Sequence, residues 1–302
     1  KAKTTKNITL KKKPSLSATK MINEFKKQGT SFLNQLLEKG LEKMIVKANK
    51  AYYGNKKPVM SDDQYDILRE YTLDRFPNNN IAKNGHVNLE LEASKNKVKL
   101  PYEMWSMDKI KPDTGALTKW KKKYSGPYVL SCKLDGVSGL YSTEGDEPKL
   151  YTRGNGKIGQ DVSHMIPYMR LPTEKGLVLR GEIIIHKNVF DQKYKEKFSN
   201  PRNFVAGVLN QKKIIADKIQ DLDFVAYELI KPEMTPALQL QSLSNMNVET
   251  VRFLVESDVT NEFLSELLVS WRDDYKYEID GVICCNDQIY KRSSGNPDHA
   301  FA

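Results

Sequence analysis

The chain has 302 residues and a formal net charge of +10, with a pI near 9.2 and a mean hydropathy of −0.59, enough length for two domains and a good core. No apolar run approaches the length of a membrane span and no signal peptide is visible, so the expectation is a soluble, non-membrane protein. The three cysteines, Cys132, Cys284 and Cys285, lack metal-ligand spacing, which points away from zinc and towards a reducing intracellular compartment, while positive charge spread along the chain suits a polyanion such as nucleic acid.

Residues 1–30 are rich in Lys, Ser and Thr and read as a flexible basic arm. Residues 31–53 then place Phe32, Leu36, Ile45 and Ala48 close to helical spacing. Ser61 has the character of an N-cap for a second helix that runs to Pro77. These helices form a small unit over residues 31–80, and in its segment "YYGNKKPVMSDDQYD" Asp62, Tyr65 and Asp66 share one helix face. An aromatic ring flanked by carboxylates suits a flat cationic ligand, although two solvated aspartates beside a half-buried tyrosine is the alternative.

From residue 81 onward the character changes. β-type runs bounded by Gly, Asp and Pro occur at 128–134, 137–143, 149–153, 177–185, 222–230 and 279–285, with helical patterns at 114–123, 203–213 and 260–273. The fold class is therefore α+β, dominated by antiparallel pairs with helices packed outside.

The first candidate motif is "CKLDG", in which Lys133 sits within an apolar strand and Asp135 precedes a glycine. Read alone, it is better explained as a hairpin whose lysine snorkels to the surface beside an Asp-Gly turn. "TRGNGKIGQDV", 152–162, surrounds Arg153 with glycines whose neighbouring N–H groups could approach an anion. Glu182 in "LVLRGEIII" and Asp280 in "YEIDGVICC" are carboxylates inside apolar strands, where an unpaired charge is costly; a strand-end salt bridge is the alternative role for each.

Taken together and in this order, the segments resemble the signature of covalent nucleotidyltransferases, the polynucleotide ligases and capping enzymes. The helical segment, "MWSMDK" at 104–109, the glycine-rich loop, "NPRNFVAGVL" at 200–209 and "YEIDGV" narrow the resemblance to NAD-dependent DNA ligases. That resemblance implies an antiparallel-sheet nucleotidyltransferase domain of the ATP-grasp-like ligase type over residues 81–302, preceded by the helical NMN-binding domain Ia.

The resemblance further implies that the chain is a monomer acting on NAD and nicked duplex DNA with Mg2+ or Mn2+. Lys133 would be the nucleophile that takes AMP, and Asp135, Arg153, Glu182 and Asp280 would complete the catalytic set, with Glu182 and Asp280 placing the metal or the ribose. Tyr52, Tyr53, Asp62, Tyr65 and Asp66 would hold NMN. Ser106 and Met107 would touch AMP, Tyr227 would stack on adenine, and Arg202 and Arg272 would serve phosphate or DNA. Burial of Lys133 and a nearby divalent cation are expected to help the amine shed its proton.

Four positions depart from the family pattern: Ser131 stands for a glutamate, Tyr53 for a histidine, Asn210 for an arginine and Cys285 for a lysine near the α-phosphate. The later OB, zinc, helix-hairpin-helix and BRCT parts of such ligases are not present in the sequence, so the chain reads as the first two domains of a longer protein. An ATP-dependent ligase and a noncatalytic nucleotide- or DNA-binding descendant are the rival readings.

Overall fold

A computed structural model describes residues 16–53, 59–84, 97–112, 114–211 and 214–302, and the chain divides into two compact units, Lys1–Glu90 and Leu91–Ala302. Among the described residues no helix is long and apolar enough to cross a membrane.

The first unit is helical, with α1 (Ala18–Gln28), α2 (Thr30–Leu33), α3 (Glu38–Tyr53), α4 (Asp62–Arg75) and α5 (Asn80–Asn84). Ser61 caps α4 as its sequence implies, in a reciprocal box with Gln64. Two sequence expectations are corrected here. Residues 18–28, assigned by composition to the basic arm, form α1, because Met21, Ile22 and Phe25 make a buried stripe against Leu41, Met44 and Ile45. The single helical stretch at 31–53 is instead α2 followed by α3. The first fifteen residues of the arm lie outside the described residues.

The second unit is α+β. In chain order its elements are β1 (Lys97–Lys99), α6 (Ala116–Lys123), β2 (Tyr128–Leu134), β3 (Val137–Ser142), β4 (Lys149–Thr152), β5 (Ile158–Gln160) and β6 (Val178–Ile185). There follow α7 (Lys187–Lys193), α8 (Pro201–Leu209), α9 (Ala216–Gln220), β7 (Leu222–Lys231), α10 (Pro236–Ser244), β8 (Glu249–Thr250), β9 (Phe253–Glu256), α11 (Asn261–Asp274), β10 (Ile279–Asn286) and β11 (Ala300–Phe301). A five-stranded sheet runs β4-β3-β6-β7-β8, a four-stranded sheet runs β11-β10-β2-β9, and β1 pairs with β5. Pairing is antiparallel except for β7 with β8.

Only Asp135 and Gly136 separate β2 from β3, yet the two strands belong to different sheets. This junction brings the end of the lysine-bearing strand beside the larger sheet. All eight residues of β6 are buried, and α8 packs against that strand while α11 packs against β10. β6 therefore holds its two charged residues, Arg180 and Glu182, away from water.

Two interruptions in strand register shape the site. Between β10 and β2, Ile279 faces Leu134 and Gly281 faces Lys133, so Asp280 is the extra residue of a β-bulge. Between β7 and β6, Ala226 faces Gly181 and Glu228 faces Arg180, so Tyr227 is the extra residue. A bulge re-aims side chains that strict alternation would send to opposite faces.

Candidate active site

Lys133 lies on β2 in an otherwise apolar run, and its side chain is 32% exposed with Nζ donating to Asp280 Oδ1 at 2.7 Å. The expectation of a desolvated amine is thus corrected. The bulge supplies a carboxylate partner, and the strand end gives the amine a route to water.

Glu182 is the buried acid of the group, 7% exposed. Its Oε1 accepts from Gly136 N–H at 3.1 Å and its Oε2 from the Ser138 hydroxyl at 3.0 Å. Burial pushes its carboxyl up to about 7, against the opposing pull of Arg202, the Ser138 hydrogen bond, Lys133 and the Gly136 N–H. Gly136 is required by space: a Cβ there would stand 2.4 Å from Ile183 O and 2.9 Å from Glu182 Cγ. Asp135, next along, accepts from Arg202 of α8 at 3.0 Å, so the motif lysine and the motif aspartate both end in ion pairs.

Arg153 donates from Nη2 to Ser106 Oγ at 2.6 Å and from Nε to Met104 O at 3.0 Å, which joins the glycine-rich loop to the 104–107 segment. The reading of that loop as an N–H cradle is corrected. The N–H groups of Asn155 and Gly156 bond to the carbonyls of Ile158 and Arg153, and those of Lys157 and Ile158 to Asn155 Oδ1. The glycines serve close packing instead: Gly156 has φ +90° and a Cβ on it would lie 2.7 Å from Met104 O.

Tyr227 is half-buried, with its hydroxyl 3.2 Å from Ser138 Oγ and the Arg180 guanidinium 5.5 Å from its ring centroid. Met107 is half-buried on the same segment as Ser106, whose N–H is held by Asn296 Oδ1 at 3.1 Å. Arg272 is exposed in the last turn of α11, and among the described residues no hydrogen bond or ion pair joins it to the Lys133 group.

The sequence reading missed a charged cluster behind this site. Arg180, 4% exposed, donates to Glu228 Oε2 at 3.1 Å and to Trp105 O at 3.0 Å. Arg292 donates to Glu228 Oε1 and to Glu103 O, each at 2.6 Å, and its guanidinium stacks 3.8 Å from the Trp105 ring centroid. The available signal was Arg180 itself, a second charge two residues before Glu182 in an apolar strand. Cys285 carries no cation into this region: burial, with Glu228 and Asp287 adding to it, pushes its thiol up to about 12.

In the first unit Tyr65 packs against the helical core, and burial raises its hydroxyl above the ordinary tyrosine value while Asn49 hydrogen-bonds to it. Asp66 is half-buried one residue on. The side chains of Tyr52, Tyr53 and Asp62 lie outside the described residues.

A family model described as NAD-dependent DNA ligase adenylation domain matches residues 92–296. The chain belongs to the NAD-dependent DNA ligase adenylation-domain family. The DNA ligase of Acanthamoeba polyphaga mimivirus is 34% identical over 271 residues, covering 87% of this chain and 42% of that protein. The putative DNA ligase 205R of Invertebrate iridescent virus 6 is 36% identical over 278 residues, covering 86% of this chain and 42% of that protein. This adenylation-family chain thus spans about two fifths of the length of these curated relatives. Among solved structures, "mycobacterial DNA ligase D complexed with ATP and MES" matches with a TM-score of 0.41 and 13% identity over 66% of this chain and 59% of that one, too distant a likeness to bear on nucleotide choice.

Proposed function

We propose that the chain is the adenylating part of an NAD-dependent DNA ligase, in which Lys133 takes AMP from NAD, releases NMN and, in the whole protein, passes AMP to a 5′-phosphate so that an adjacent 3′-hydroxyl can seal the nick. The observation that carries the reading is the Lys133–Asp280 pair standing beside a buried carboxylate, Glu182, within a chain of this family. In the transfer, the Nζ–P bond forms as the bond from the α-phosphorus to the NMN phosphate oxygen breaks. The ammonium gives up one proton before attack and a second as the phosphoramidate forms, and Asp280 Oδ1 is placed to accept or orient the first.

Tyr227 offers the adenine a π face, Arg180 behind it lends a cation, and Arg153 fixes Ser106 where the nucleotide is read. Arg202 holds Asp135 and offers positive charge near phosphate. Tyr65 and Asp66, with Tyr52, Tyr53 and Asp62, are assigned to the nicotinamide half, and Arg272 to the DNA.

Among the described residues no group of three or more His, Cys, Asp and Glu side chains converges on a metal site. The donors fit a hard cation held mainly by nucleotide phosphates, as Mg2+ is held in phosphoryl-transfer sites. Asp280 is the accessible carboxylate for it, because its side chain is open to solvent whereas Glu182 is buried in β6. When bound, Mg2+ or Mn2+ offsets charge on the α-phosphate. Glu182 is accordingly better suited to the ribose than to the metal.

Intact-mass analysis after incubation with Mg2+ and either NAD or ATP tests the reading. An AMP adduct from NAD, absent in Lys133→Ala, is expected; an adduct from ATP but not from NAD overturns the cofactor assignment. A noncatalytic descendant is the second reading, favoured by Cys285 and Ser131, and would give no adduct from either nucleotide.

A further inference from the structure

Ser138 is the residue of β3 directly opposite Glu182 on β6, and its hydroxyl touches two groups of the site at once. Oγ lies 3.0 Å from Glu182 Oε2 and 3.2 Å from the Tyr227 hydroxyl. A serine has one proton to give. When Glu182 is ionised it can only accept, so the serine proton goes to it and the tyrosine must donate its own proton to Ser138 Oγ. The result is a chain of single polarity, Tyr227 O–H to Ser138 O–H to Glu182.

This chain constrains the ring that the proposed function uses as a platform. Tyr227 is the extra residue of its bulge, so no cross-strand partner in the β6 ladder fixes its side chain. Its tip is held by Ser138, and the Arg180 guanidinium stands 5.5 Å from its centroid. The same serine's carbonyl accepts from Arg153 N–H at 2.9 Å, which ties the root of the glycine-rich loop to the same point of β3.

We infer that Ser138 is a positioning residue that locks the Tyr227 ring to Glu182, and that this lock sets the affinity for the adenylate half of the nucleotide. The inference rests on the proposed function. A hydroxyl that holds a stacking platform acts on bound substrate and transition state alike, so its loss should raise KM and leave kcat nearly unchanged.

The experiment measures AMP affinity by calorimetry, together with KM and kcat for adduct formation from NAD, in the parent chain and in Ser138→Ala, Ser138→Thr, Tyr227→Phe and the Ser138→Ala/Tyr227→Phe double variant. Ser138→Ala and Tyr227→Phe should each weaken AMP about three- to tenfold, the size of one net hydrogen bond. The double variant should lose clearly less than the sum of the two single losses, because the two substitutions share the Ser138–Tyr227 contact. Ser138→Thr, which keeps the hydroxyl, should restore parent affinity and KM. Unchanged AMP affinity in Ser138→Ala, or losses that add in the double variant, would overturn the inference while the parent's own adduct upholds the proposed function. A parent chain that neither binds AMP nor forms the adduct would remove that function, and this role with it.

Discussion

Lys133 Nζ and Asp280 Oδ1 are 2.7 Å apart, with both side chains about a third or more open to solvent. An exposed pair of this kind contributes about 0–1 kcal/mol to folding, so its geometry matters for chemistry far more than for stability. Asp280→Asn should leave the unfolding midpoint within the change that such a pair explains. Adduct formation from NAD should fall by about a hundredfold or more if the carboxylate handles the amine's proton. Single-turnover mass spectrometry beside a urea melt separates the two effects, and a variant that adenylates at the parent rate removes Asp280 from the mechanism.

Glu182 makes stability depend on pH in a direction opposite to that of most paired carboxylates. Its folded-state value, pushed up to about 7, lies above the ordinary 4.5, so folding favours the protonated form. Its contribution is greatest below the unfolded value and is lost as pH rises from there through about 7, a swing on the order of 3 kcal/mol. The charges facing it are Arg202 on α8, Lys133 on β2 and Arg180 on its own strand. Denaturant melts without nucleotide at pH 5 and pH 8 should show the parent losing stability relative to Glu182→Gln; parallel profiles for the two proteins would contradict this.

The two arginines that share Glu228 are not equivalent. Arg180 is 4% exposed in its side chain and Arg292 is 25% exposed. Arg180→Met breaks a buried pair and should cost about 3–5 kcal/mol. Arg292→Met should cost clearly less. Urea unfolding of both variants checks the order, and a smaller loss for Arg180→Met would refute the burial argument.

Two left-handed glycines give a matched control for the loop. Gly156 and Gly295 have φ +90° and +88°, but a Cβ on Gly156 meets Met104 O at 2.7 Å whereas one on Gly295 meets open space. Gly295→Ala should cost about 1 kcal/mol for backbone strain. Gly156→Ala should cost roughly 1–3 kcal/mol beyond that, since the Met104–Ser106 segment must move. Equal melting temperatures for the two variants would show that the contact with Met104 yields freely.

Much of the adenylation unit was legible because its strands are short apolar runs with clear breakers: 128–134 is β2 to the residue, and 279–285 falls one residue short of β10. α1 was hidden by its lysines, which dominate the composition of 1–30 while three apolar residues carry the packing. Alternation could not show that Tyr227 and Glu228, adjacent in sequence, both serve the Arg180 face, because that depends on a bulge set by the partner strand. Ser138, Arg180, Glu228 and Arg292 come from four separate segments. Only the sheet topology brings them together, so no spacing rule could have found the group. The lysine's exposure was equally unreadable, since an apolar run does not reveal where the strand ends in space.

The extra residues Tyr227 of β7 and Asp280 of β10 also constrain how this chain can change. Removing one residue at Tyr227 or at Asp280 would take out the local bulge, and the side chains beyond that point would swap faces. A one-codon deletion in either strand would therefore separate Lys133 from Asp280, or Tyr227 from Ser138, without removing a single further functional group.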